Sequence, residues 1–210
     1  MTTSSVHFNT SASDDSDELA RAELYGLLAS LWLAPPDAAL LQQFSVAVTA
    51  APQPGAFLEA PWEALVSTLR GTSQADAAAE HNALFYGVGK AELMPYASFF
   101  LTGYLNEKPV AALRSDLAQL GLTRDVGALE TEDHVAYLFE VMRYLIAGDD
   151  VAVCNLEQQR RFFRAHLQPW VEALCEAVLV HPRAHTWRAV ATFTQSFMQV
   201  ETQAFDMLEA

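Results

Sequence analysis

Apolar residues recur at three- and four-residue spacing in one segment after another, and each run is stopped by Gly or Pro. That spacing places them on one face of a helix and off the two-residue alternation of a strand. Val135, Leu138, Phe139, Met142, Leu145 and Ile146 form the clearest case. Thr131 is expected to cap that helix, Glu132 and Asp133 suit the positive end of its dipole, and Gly148 stands where a left-handed terminator belongs. Further helices are expected from an Asp15–Glu18 capping box to Pro35, after Asp37, from Trp62 to Leu69 behind Pro61, and from a cap at Thr72 or Ser73 through Phe85. A short one is expected between Lys90 and Tyr104, followed by another from Pro109 to Gly121 and by two stretches over 151–166 and 170–180. Trp187, Val190, Phe193, Phe197 and Val200 begin a long closing helix. No βαβ alternation, hairpin or internal repeat competes, so the expected fold is an all-α multi-helix bundle.

With 210 residues and 51% hydrophobic content, the chain can bury a core as one domain over 17–210, preceded by a loose Ser/Thr/Asp-rich tail at 1–16. A formal charge of −14 excludes nucleic acid as a natural partner, because phosphate contacts need clustered Lys and Arg. No run approaches a bilayer span and no signal peptide is present, so the expected setting is soluble and cytoplasmic. Cys154 and Cys175 make neither a disulfide framework nor a zinc site.

Glu130-Thr131-Glu132-Asp133-His134 gathers three carboxylates and an imidazole before an apolar helix. Ordinary helix capping explains such a cluster, and so does a polar binding site on an apolar scaffold. Other chemical motifs fail. Gly87-Val88-Gly89-Lys90 lacks the leading glycine and the Ser or Thr of a phosphate loop, Arg160-Arg161 lies far from the terminal setting of an export signal, and Pro182 interrupts His181 and His185. No metal site, cofactor site or nucleophile elbow is expected.

Taken in order, Leu84-Phe85-x-Gly87, Pro95-Tyr96-x-Ser98, Glu130-x-x-Asp133-His134 and Phe162-x-x-x-His166-Leu167-x-x-Trp170 resemble the TorD/DmsD/NarJ-like chaperones of molybdoenzyme maturation. The resemblance covers about 18–207. It implies a TorD-like, non-enzymatic, cytoplasmic chaperone. Such a protein binds the twin-arginine leader, the body, or both, of an apo-molybdoenzyme catalytic subunit, and delays export until the molybdenum cofactor is inserted. Carried onto this chain, the peptide-binding candidates are Tyr86, Pro95, Tyr96, Asp133 and His134, with Glu132 added from the same turn. Two departures bear on leader choice: Thr131 replaces a common proline, and Ala97 replaces a frequent acidic residue.

Chemically, a leader with two guanidinium groups followed by an apolar stretch calls for carboxylates beside an oily groove. Glu132 and Asp133 are expected to meet the arginines, His134 to fix the turn, and aromatics near Pro95-Tyr96 to receive the apolar stretch. Tyr86 and its aromatic neighbours also suit plain core packing. The resemblance further makes the 104–130 region a candidate hinge for helix exchange between two protomers. Two other classes remain: a helical assembly protein with another client, and an enzyme using Asp133 and His134 as an acid–base pair.

Overall fold

The computed structural model describes residues 12–46, 57–87, 91–125 and 127–208, and among them ten α-helices and a π-helical turn account for the regular structure. In chain order the helices are α1 (Ala12–Leu33), α2 (Ala38–Val46), α3 (Glu59–Gly71), α4 (Gln74–His81), α5 (Ala97–Thr102), α6 (Lys108–Gln119), α7 (Val135–Ala147), α8 (Leu156–His166), α9 (Val171–Leu179) and α10 (Thr186–Met207). The π-helical turn, Asn82–Tyr86, continues α4. One antiparallel bridge, Tyr96 to His134, is the sole strand-like pairing among the described residues. The all-α bundle expected from periodicity is the observed fold.

Its core is built by α1 lying along α7, with α10 packed against α3 and α9. Tyr25 of α1, Phe139 of α7 and Phe197 of α10 meet there, with Tyr25 and Phe197 edge to face at 4.9 Å. A charged network crosses the same region. Arg21 donates two bonds to Glu201, at 2.7 and 2.8 Å, and one to Gln159 at 2.8 Å, while the Tyr25 hydroxyl donates to Glu201 at 2.7 Å. Glu201 is 2% exposed, and this fork of donors satisfies its buried carboxylate. The network ties α1 to α8 and α10.

Several boundaries differ from expectation. Helix α1 starts at Ala12, ahead of the Asp15 cap, so the last part of the expected 1–16 tail is helical and the rest lies outside the described residues. The loop expected over 51–55 also lies outside them, as does Gly89. Asp37 does cap α2, its carboxylate accepting from the Leu40 N–H at 2.8 Å. Ser73 likewise caps α4 through the Asp76 N–H at 3.1 Å. Helix α7 begins at Val135, not at Thr131, because the acidic pentapeptide forms a turn before it. Gly148 ends α7 with φ −78°, an extended conformation in place of the left-handed terminator. Close approach explains the glycine: a Cβ there would stand 2.5 Å from the Cys154 sulfur and 2.7 Å from the Tyr144 carbonyl oxygen. The candidate hinge at 104–130 contains an ordered helix, α6, which buries Val110, Leu113 and Leu117. Among the described residues no helix is long and apolar enough to cross a membrane.

Candidate functional site

Two segments far apart in sequence are sewn together at the acidic turn. The Ala97 N–H donates to the Asp133 carbonyl at 3.0 Å and the Val135 N–H donates to the Pro95 carbonyl at 2.9 Å, which sets Pro95-Tyr96-Ala97 against Asp133-His134-Val135. Both motifs thus share one patch. Asp133 drives much of this. Its side chain, in a residue only 1% exposed, accepts from the Ser98 N–H at 2.9 Å, the Ser98 hydroxyl at 2.6 Å and the Thr131 hydroxyl at 2.6 Å. A carboxylate receiving an N–H in the first turn of α5 also opposes that helix's positive end. Phe100, stacked at a tilt on Trp170 with centroids 5.6 Å apart, secures the other side of α5 against the α8–α9 corner.

His134 is the cap of α7. Its Nδ1 accepts from the Ala136 N–H at 3.2 Å, which requires a neutral ring with the proton on Nε2. Burial lowers its pKa to about 4, against the opposite pull of the Glu130 and Asp133 carboxylates. Tyr96 lies edge-on to the imidazole at 5.0 Å. Asp133 and the His134 Nδ1 therefore bond to separate structural partners, and that nitrogen is not paired with the carboxylate as an acid–base couple would be.

The carboxylate presented with hydroxyl groups is that of Glu130. Tyr86 donates to its Oε1 at 3.1 Å, and Tyr96 donates to its Oε2. Burial and the adjacent Glu130 charge raise both phenols above their ordinary pKa, so they remain protonated donors at neutral pH. Tyr86 comes from the π-helical turn, where the Gly87 N–H reaches the Asn82 carbonyl at 2.8 Å. At 53% exposure Tyr86 faces solvent, whereas Tyr96 is half-buried and Pro95 buried. Behind Tyr86 sits His81, 2% exposed and ringed by Phe85 and Trp187, with burial lowering its pKa to about 4.

Glu132 has a different partner. Arg114 of α6 grips it with two bonds of 2.9 Å each, and these lower the Glu132 pKa. The structure thus brings all six sequence candidates into one region but separates their duties. Asp133, His134 and Pro95 hold the turn from inside, so Asp133 is closed to the direct arginine contact expected of it. Tyr86, Tyr96 and Glu132 reach the surface, joined by Glu130, which stood in the acidic cluster yet outside the candidate set. Arg114 carried no sequence signal. The last motif is also structural: His166 bonds to Asp116 at 2.8 Å, and Trp170 Nε1 donates to the His166 carbonyl at 2.7 Å.

A family model for the nitrate reductase delta subunit matches residues 52–176, more than half of the chain. Among curated proteins, "Chaperone protein TorD" of Vibrio cholerae serotype O1, strain O395, is 27% identical over 146 residues, covering 66% of this chain and 66% of that protein. The like-named protein of Aliivibrio fischeri is 24% identical over 142 residues, covering 64% of this chain and 66% of its own length. The match thus spans slightly under two thirds of these relatives. The chain belongs to the nitrate reductase delta subunit family.

Proposed function

We propose that this chain is a cytoplasmic, system-specific maturation chaperone. It binds the twin-arginine leader, and through neighbouring surface the body, of an apo-molybdoenzyme, keeping the client from export while the cofactor is inserted. The carrying observation is the partly exposed Glu130 carboxylate, oriented by two tyrosine hydroxyls. Neutral donors orient it without cancelling its charge. It therefore suits a guanidinium, which can add charge-assisted bonds at the remaining lone pairs. Glu132 on the same turn offers a second carboxylate, and the rings of Tyr86 and Tyr96 offer faces for stacking on arginine or for the apolar stretch that follows. Tyr86, Pro95, Tyr96, Glu132, Asp133 and His134 remain the proposed site, with Pro95, Asp133 and His134 as its frame and Glu130 as its added contact.

Titrating a synthetic leader peptide into the full chain tests the assignment. Glu130→Gln should weaken binding by roughly tenfold, the worth of one charged hydrogen-bonded contact, and should flatten its salt dependence. Equal affinity and equal salt slope in wild type and variant would remove Glu130 from the site. A helical assembly protein with another client is the second reading, and co-purification separates the two: an apo-oxidoreductase with its leader intact supports the chaperone.

A further inference from the structure

We infer that Arg114 is a built-in competitor for the leader, occupying Glu132 with the same two-pronged guanidinium contact that an incoming arginine would make. The inference rests on the leader-binding reading above. Its ground is the Arg114–Glu132 pair: Nε to Oε1 and Nη2 to Oε2, both at 2.9 Å. This fork-on-carboxylate arrangement saturates the Glu132 oxygens along one edge and leaves no net charge to attract a second cation.

The two partners are unequally held. The Glu132 side chain is 12% exposed and sits on a turn pinned on either side, by the Tyr hydroxyls on Glu130 and by the buried Asp133. The Arg114 side chain is 55% exposed and stands on a separate helix, α6. Arginine is thus the partner free to swing away, and the carboxylate stays in place when it does.

Glu130 and Glu132 therefore differ at rest. Glu130 is dressed by neutral hydroxyls and keeps its charge, whereas Glu132 is neutralised by a cation of the chain itself. A peptide with two arginines meets one open carboxylate first, then must displace Arg114 to reach the other. That second step exchanges one guanidinium for another. An internal occupant lowers the apparent affinity of a cationic ligand for that carboxylate in proportion to the fraction of molecules in the open form. For an exposed ion pair the factor is about two- to fivefold.

The experiment compares the full chain with Arg114→Met, Glu132→Gln and the double variant. Each is titrated with a synthetic peptide carrying Arg-Arg and an apolar stretch, at several salt concentrations, after circular dichroism confirms the fold. Arg114→Met should bind about two- to fivefold tighter than wild type and with a steeper salt dependence, because a site charge has been uncovered. In the Glu132→Gln background the same arginine replacement should give no gain. Tightening of equal size in both backgrounds would reduce the effect to general charge and overturn the competitor. So would unchanged or weaker binding in Arg114→Met. Failure of the leader reading has a separate signature: neither wild type nor Arg114→Met binds the peptide at any salt, and the competitor falls with it.

Discussion

Asp133 accepts one backbone and two hydroxyl hydrogen bonds while nearly sealed from solvent, and through Ser98 it fixes where α5 begins. Removing it leaves the Ser98 N–H and two hydroxyls without their acceptor. Asp133→Ala should therefore destabilise the protein by about 2–4 kcal/mol, read as a lower urea midpoint, and leader binding should fail with it. A midpoint equal to that of wild type would show that the carboxylate does not hold the turn. Asp133 and His134 were legible as part of a polar cluster from residue types and order. Which carboxylate faces outward was not. That choice depends on pairing with Pro95 and Tyr96, and a contact so distant in the chain leaves no local periodicity to read.

At the scale of elements, helices with strong apolar periodicity were found near their observed positions, and the errors sit at their ends. Helix α7 starts later than its acidic residues suggest because a turn consumed by tertiary bonding precedes it, so good capping chemistry misled. Conversely, α10 lacks a cap of its own. Glu80, on α4, supplies one from a distance, accepting from the His185, Thr186 and Trp187 N–H groups at 2.8–2.9 Å. A cap lent by another helix has no spacing signature. At the end of α7, Gly148→Ala should cost roughly 1–3 kcal/mol through the clash with Tyr144 and Cys154. Adding Cys154→Ala should recover part of that loss; identical thermal midpoints in all three proteins would contradict the crowding.

Over the whole molecule, the all-α class followed from composition and period together, while the joining of α1, α8 and α10 through partly buried Arg21 and buried Glu201 and Gln159 did not, since charged and polar residues in a sequence read first as surface. Two buried histidines give the bundle a pH dependence. In the folded state His81 and His134 stand at about 4, against an ordinary 6.5. Between those values the unfolded chain binds protons that the folded chain refuses, so stability is complete above pH 6.5 and is lost as pH falls toward 4. By pH 5 the loss should be about 2 kcal/mol for each histidine. Urea midpoints at pH 7.5 and pH 5 measure it, and His81→Phe should flatten the slope; a midpoint unchanged across that range would refute the burial of both rings.

The π-helical turn at Asn82–Tyr86 amounts to one surplus amino acid wound into a helix, with the Gly87 N–H reaching five residues back. Excising a single codon there would restore ordinary winding and change which way the side chains of that one turn face. The Tyr86 phenol would then point elsewhere, and Glu130 would keep only one of its two escorts. A reading-frame-preserving triplet deletion, a small event in a gene, is thus enough to strip one hydroxyl from the Glu130 carboxylate while sparing the scaffold around it.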